Sequence, residues 1–381
     1  MPTTRHGDET RLSWEDLDPN DDNYAVQVVD RLLQFALRVG ASDVHVSQRH
    51  GRIQLRLRVH GLLQDLGSLS DGSVSTILGR LKALARLVTY RNDIPQEGSI
   101  RLINPGETAP WEARIGTLPT LGGERAVIRL NPGNSTRRTM SELGLEEELH
   151  QRLCQGLQVD SGVIVIAGAA GTGKTTTAYA CLQQILETQQ LRSIVTLEDP
   201  VESEIDGVDQ SEIGTSPEYS WSAGLKALLR QDPEVMFVGE IRDAETASTV
   251  FQAAMTGQLV ITTMHARSCC DCLRRLMDMG VPPQHLIATL NLMLCQRLKP
   301  VACPKCNRDT NASSDTSIGS FSKLSAQPAC DQCKGTSILG RELQAEHLPE
   351  IRLDLAERLN RNADTLDLQA AAVALGMHPL A

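Results

Sequence analysis

The chain has 381 residues, room for two or three domains, and 41% of them are hydrophobic but only 3% aromatic, so the cores must be aliphatic. It carries 37 basic and 47 acidic residues, a net charge of −10. That balance argues against a nucleic-acid-coating protein, which needs a basic excess, while leaving room for a local basic groove; no direct nucleic-acid partner is expected. There is no apolar run of about 18 residues and no signal peptide, so the chain is expected in the cytosol.

Residues 1–22 read as a polar leader with little to bury. Tyr24 to Val39 places Val26, Val29, Leu32, Leu33, Phe35, Ala36 and Val39 at helical spacing and stops at Gly40. From Val44 the period drops to two. Arg52 to His60 alternates apolar residues with a row of arginines, and Gly61 allows a return arm over Leu62–Leu66. A helix over Ser75–Leu87 and strands near Ile100–Leu102, Glu112–Ile115 and Ala126–Leu130 complete an α+β domain over 23–131. A polar linker follows at 132–140. Over 141–297 apolar strands at Val163–Ala167, Ser193–Leu197, Val235–Val238 and Leu259–Thr263 alternate with helices, the rhythm of a parallel sheet covered on both faces.

Gly168-Ala169-Ala170-Gly171-Thr172-Gly173-Lys174-Thr175 matches the phosphate-binding loop G-x-x-x-x-G-K-[ST], between a buried strand and a helix. Glycines there let main-chain N–H groups turn inward around phosphates, and the helix N-terminus adds partial positive charge. Gly168, Gly171, Thr172, Gly173, Lys174, Thr175 and Thr176 are therefore the candidate nucleotide-binding set. Lys174 is expected on the β- and γ-phosphates and Thr175 on Mg²⁺.

Ligands of such sheets bind at the carboxyl ends of the strands. Those ends carry the phosphate loop, Glu198-Asp199, Gly239-Glu240 and His265. Glu240, just after Val235–Val238, is the favoured essential carboxylate, holding the metal shell or polarising water, and Glu198 is the rival general base. His265 reads equally as a γ-phosphate sensor or as a structural histidine. The stripe Arg52, Arg56 and Arg58 is either a solvated face or a source of positive charge for a bound phosphate. Cys303-x-x-Cys306 and Cys330-x-x-Cys333, 23 residues apart, suit a closed tetrahedral zinc site; redox or unpaired thiols are the alternatives. The Ser-, Thr- and Asp-rich segment between them, part of an expected lobe over 298–340, lacks apolar residues to fold on burial alone. Residues 341–381 read as a C-terminal helical segment.

Taken together these motifs resemble the secretion ATPases of type II secretion systems and type IV pilus assembly, from about Tyr24 to Met377. The resemblance is carried by Ala41-Ser42-Asp43-Val44-His45-Val46, by Thr117–Arg125, by the aspartate box Glu198-Asp199-Pro200-Val201-Glu202 and by the Walker B region Gly239–Ala247. The histidine box Thr263-Met264-His265-Ala266 and the cysteine-lobe entry Cys295-Gln296-Arg297-Leu298 extend it. It implies an α/β architecture: a RecA-like P-loop NTPase domain, preceded by a smaller PAS-like α+β domain and followed by a small tetracysteine metal-binding lobe. It further implies ATP, Mg²⁺ and Zn²⁺, with Arg56, Arg58, Arg101 and Arg114 as candidates to complete the nucleotide site. A homo-hexamer peripheral to the cytoplasmic face of the inner membrane, working with a platform protein and a cytoplasmic recruiting protein, is implied as well. The cysteine pairs lean the reading toward assembly rather than retraction. A DNA-uptake or conjugation-type motor is an alternative. So is a non-hydrolysing scaffold regulating a full-length paralogue, to which Gln258, in place of the histidine of Thr-Gly-His, lends some weight.

Overall fold

The computed structural model describes residues 12, 14, 16–49, 51–69, 74–102, 111–131, 138–188, 192–214, 216, 218–305, 330, 332–333, 338–348, 353–361 and 363–380. The chain forms two compact units, residues 1–133 with 300–341, and residues 134–299 with 342–381. The cysteine-bearing segment thus groups with the first unit. Among the described residues, no helix is long and apolar enough to cross a membrane.

In the first unit, helix α1 (Tyr24–Arg38) buries Val28, Val29, Leu32, Leu33, Phe35 and Ala36, one stripe at helical spacing. Strands β1 (Ala41–Arg49), β2 (Arg52–Val59) and β3 (Leu62–Leu69) precede helix α2 (Val74–Leu84), and β4 (Gln96–Leu102), β5 (Trp111–Thr120) and β6 (Gly123–Asn131) follow it. The six strands form one sheet in the order β3-β2-β1-β6-β5-β4. In β2 the alternation is strict. Ile53, Leu55, Leu57 and Val59 of β2 are buried in the core shared with α1 and α2, and the arginines between them stand on the other face. At the β2–β3 hairpin His60 and Gly61 both have positive φ, +50° and +83°, the conformation a tight two-residue turn requires. Histidine tolerates that region better than a β-branched residue does, which is how His60 can stand in this turn.

The leader buries more than its composition suggests. Leu17 is part of the core of the first unit, Leu12 and Trp14 pack against it, and Arg31 of α1 holds both carboxylate oxygens of Asp16 at 2.7 Å.

The second unit begins with a single 3-10 turn (Met140–Leu143) and helix α3 (Glu147–Leu157), then β7 (Gly162–Gly168), α4 (Lys174–Thr188), β8 (Ile194–Glu198) and β9 (Asp209–Glu212). Next come α5 (Trp221–Leu228), β10 (Val235–Val238), α6 (Ala244–Met255), β11 (Leu259–Met264), α7 (Cys269–Asp278) and α8 (Pro283–Thr289). Strands β12 (Leu290–Ala302) and β13 (Ile338–His347) and helices α9 (Leu353–Asn360) and α10 (Thr365–Ala374) complete the chain. The sheet runs β13-β12-β7-β11-β10-β8-β9, and β12, β7, β11, β10, β8 and β9 are mutually parallel.

Alternate residues of β7 enter different cores. Val163, Val165 and Ala167 pack with α5 to α10, whereas Ile164 and Ile166 pack with α3 and α4. A strand buried on both faces has no polar side, which is why it reads as an unbroken apolar run.

Candidate functional site

The register brings four strand ends to one edge. Ala167 of β7 lies opposite Met264 of β11 and Cys295 of β12, and Val238 of β10 lies opposite Thr262 of β11 and Leu197 of β8. The phosphate loop, His265, Glu240 and the Glu198–Glu202 segment all leave the sheet there.

The loop is built around close backbone approach. A Cβ on Gly168, whose φ is +153°, would come within 2.5 Å of the Gln296 carbonyl oxygen and 2.6 Å of Thr172 Oγ1, so only glycine fits. Gly171 and Gly173 take φ of +72° and +89°. Thr172 Oγ1 donates to the Ala169 carbonyl at 2.9 Å, and Thr175 and Thr176 sit half-buried in the first turn of α4. Such a cradle of inward-turned amides at a helix N-terminus fits phosphate oxygens. Lys174 Nζ donates to the carbonyls of Gly168 (3.0 Å) and Ala169 (2.9 Å), which holds the ammonium over the loop. Burial lowers the Lys174 pKa, and the negative charge of Glu240 and Glu202 opposes that shift.

Sequence reasoning missed Gln296. On the fully buried part of β12, its Nε2 donates to the Thr172 carbonyl (2.9 Å) and its Oε1 accepts from Thr177 Oγ1 (3.0 Å). One side chain thus pins both the loop and α4. The motif Cys295-Gln296-Arg297-Leu298 was its visible signal, read only as the entry to the cysteine lobe.

Glu240 is 18% exposed and fixed from two sides: Oε2 accepts from Arg242 Nε at 3.0 Å, and Oε1 lies 3.2 Å from His265 Nε2. Arg242 reaches on to Asp199 Oδ2 (3.2 Å), and the hydrogen bond to Glu240 raises the arginine pKa. The loop bearing Glu240 is clamped between its neighbours. Gly239 N–H donates to the Leu197 carbonyl (2.8 Å), Ile241 N–H to the Thr263 carbonyl (3.0 Å), and Thr263 Oγ1 to the Gly239 carbonyl (2.6 Å).

Glu198 stands apart from the role expected of it. It is 2% exposed and accepts hydrogen bonds from Tyr179 Oη (2.5 Å), Thr196 Oγ1 (2.6 Å) and Gln210 Nε2 (3.1 Å). A general base needs a free lone pair within reach of water, and this carboxylate is enclosed and engaged. The exposed acidic side chains of the same segment are Asp199, which Arg242 engages, and Glu202, whose charge opposes the lowering of the Lys174 pKa.

In the first unit the arginines gather on the face of the sheet opposite its core. Cross-strand register lines up Arg58, Asp43, Arg129, Arg114 and Ser99 in one row, with Arg101 two residues beyond Ser99 on the same face. Arg56 lies opposite His45 in the next row. Arg129 and Arg125, not among the sequence candidates, belong to this face too. Buried Asp43 accepts from Arg129 Nε (3.1 Å) and pairs with Arg58 Nε (3.7 Å), and Arg125 meets His45 Nδ1 (3.2 Å). Asp65 pairs with Arg56 (4.0 Å) and Glu112 stands opposite Arg101 in the register, so carboxylates offset part of the charge, yet guanidiniums outnumber them and the face stays basic, suited to phosphate oxygens.

Burial first, and then the Arg125 charge, lower the His45 pKa below its ordinary value of 6.5. The folded protein therefore binds fewer protons there than the unfolded chain, so this contribution is intact above pH 6.5 and lost as pH falls below it. Chemical unfolding from pH 7.5 to 5.5 is expected to show stability declining with acid, less steeply in His45→Gln. An unchanged slope in the variant would remove His45 as a source.

Cys303, Cys330 and Cys333 are buried together, their sulfurs all within 4.8 Å of one another, with 3.8 Å between Cys303 and Cys330. That spacing is far beyond a disulfide. It equals the edge of a tetrahedron with Zn–S bonds of about 2.3 Å, which is about 3.8 Å. These three thiols fit a zinc ion; Cys306, the expected fourth ligand, lies outside the described residues.

Residues 18–375 match the family model for type II/IV secretion system proteins. The type II secretion system protein E of Pectobacterium carotovorum subsp. carotovorum is 35% identical over 329 residues, 85% of this chain and 65% of the relative. The type IV pilus assembly ATPase TfpB of Acinetobacter baylyi is 34% identical over 368 residues, 94% of this chain and 62% of the relative. The chain spans less than two thirds of the length of these two relatives. The X-ray structure of the Legionella pneumophila ATPase DotB superposes with a TM-score of 0.67 at 21% identity, covering 92% of this chain and 87% of that one, a likeness of fold. By the family match and these relatives, the chain belongs to the type II/IV secretion system protein family.

Proposed function

We propose that this chain is an ATP-hydrolysing motor powering type II secretion or the assembly of a type IV pilus or pseudopilus. The observation that carries the reading is the convergence of the phosphate loop, Glu240 and His265 at adjacent ends of one parallel sheet. In this reading the loop amides and Lys174 bind the β- and γ-phosphates and the Thr175 hydroxyl holds Mg²⁺. The ion, when bound, neutralises phosphate charge. Glu240, held by Arg242 and His265, orients the attacking water and takes its proton, and Glu202 is the second carboxylate facing the phosphates. His265 reports the γ-phosphate through its contact with Glu240. The basic face of the first unit, with Arg56, Arg58, Arg101 and Arg114, is in this reading a surface that takes phosphate oxygens. Six copies form the working ring, which acts at the cytoplasmic face of the inner membrane on a platform protein, with a recruiting protein docking it there.

The test is Mg²⁺-dependent binding of a fluorescent ATP analogue, followed by phosphate release, in the wild type and in Lys174→Ala. The reading expects tight binding and turnover in the first and neither in the second. Equal binding in both would refute it.

Zinc closes the cysteine site and contributes folding energy there, about 10–16 kcal/mol in small peptides. Wild-type protein is expected to carry a single zinc, and Cys330→Ser to lose it and become protease-sensitive near residues 300–340. Unchanged metal content and cleavage in the variant would overturn the assignment.

A further inference from the structure

The segment that follows β8 is irregular, yet side chains hold its main chain at four points. Val201 N–H donates to Glu212 Oε2 (2.9 Å), Ile205 N–H donates to Gln210 Oε1 (2.7 Å), and the Ser203 carbonyl accepts from Gln210 Nε2 (3.1 Å). Glu202 N–H donates to the hydroxyl of Tyr179 (3.1 Å). That hydroxyl has one proton and gives it to Glu198 Oε2. Tyr179 is 3% exposed, and its ring meets Phe237 of β10 edge to face, with centroids 6.1 Å apart. It stands on α4, the helix that begins at Lys174. One phenol therefore joins the phosphate-loop helix, the strand leading to Glu240, and the backbone of Glu202.

We propose that Tyr179 is a positioning residue, which with buried Glu198 as its acceptor fixes the backbone of Glu202 relative to Lys174 and sets the aim of that carboxylate. Glu198 thereby acts through Tyr179 and not on substrate. Burial and the neighbouring Glu198 raise the tyrosine pKa, which keeps the hydroxyl a proton donor at neutral pH. Tyr179 touches no reacting atom. Its loss is felt as misplacement, for which shifts of about 1 Å reach about a hundredfold in rate.

The inference rests on the hydrolytic reading above, and the wild-type arm of its test separates the two. Tyr179→Phe keeps the ring against Phe237 and removes only the hydroxyl. In steady-state ATP hydrolysis kcat is expected to fall about tenfold to a hundredfold, with KM and ADP affinity within about threefold. Because Tyr179 acts through Glu202, the double variant Tyr179→Phe/Glu202→Gln should turn over no more slowly than Glu202→Gln alone. If Tyr179→Phe folds poorly by thermal unfolding, Gln210→Leu loosens the same segment from the edge strand and should give the same masked phenotype. A wild-type kcat in Tyr179→Phe, or losses that multiply in the double variant, overturns the proposal. A wild type that binds nucleotide without turnover overturns the hydrolytic reading and this inference with it.

Discussion

Glu240→Gln is expected to lower the kcat for ATP hydrolysis by about 10²–10⁴, the usual contribution of a positioned acid–base group, with ADP affinity changed only a few-fold. Glutamine keeps the shape of the side chain but can neither take a proton from water nor balance the charges of Arg242 and Lys174. Arg242 retains Asp199 as a partner, so the loop should hold its place. The carboxylate also supports the charge on Lys174 against burial. Its removal should depress the lysine pKa further, leaving residual activity weaker at alkaline pH than in the wild type. Burst kinetics together with ADP titration check both statements. A variant within a few-fold of wild-type kcat would assign the water-orienting role to another group, Glu202 first.

Glu124→Gln is expected to destabilise the first unit by about 3–5 kcal/mol, the cost of leaving a buried charge without its counter-ion. Lys82 of α2 and Glu124 of β6 are fully enclosed, with Nζ to Oε1 at 2.6 Å, and the ammonium is the only partner of that oxygen among the described residues. Lys82 also donates to the Arg91 carbonyl (2.7 Å) and Asn92 Oδ1 (2.8 Å), tying down the connection from α2 to β4. Replacing both partners by apolar residues of similar size, Lys82→Met with Glu124→Leu, should be much milder, because no charge is then stranded. Denaturant unfolding of the three proteins measures the difference. A loss below about 1 kcal/mol in Glu124→Gln would mean that water reaches the pair, as it does in surface ion pairs.

Much of the second unit was legible because its central strands are apolar on both faces and its loop has only one chemistry. β7, the phosphate loop and α4 follow from a single stretch of chain, and the strand-end rule then points to Glu240 and His265. The edges of the same sheet were not legible. β9 reads Asp-Gln-Ser-Glu, lies at an edge and has no apolar pattern to betray it. β12 pairs with β7 across more than a hundred residues, and its second half (Gln296-Arg297-Leu298-Lys299-Pro300) looks like a loop. The expected boundary at 297–298 consequently fell inside a continuous strand. In the acidic segment, composition cannot say which glutamate turns inward. Glu198 ends β8 with Tyr179, Thr196 and Gln210 around it, whereas Glu202 follows the turn at Asp199-Pro200 and emerges. On the first sheet, the alternation of β2 made the stripe of Arg52, Arg56 and Arg58 readable, while Arg101 and Arg114 came from the resemblance alone. The row from Arg58 to Ser99, with Arg129 inside it, needed the register.

Phosphate release from Mg²⁺-ATP by the purified wild-type chain, followed across a protein concentration series, tests the central claim most directly. The account predicts hydrolysis whose specific rate rises with concentration as the ring assembles and which is absent in Lys174→Ala. Tight ATP binding with no phosphate released at any concentration would contradict it and leave a nucleotide-dependent scaffold.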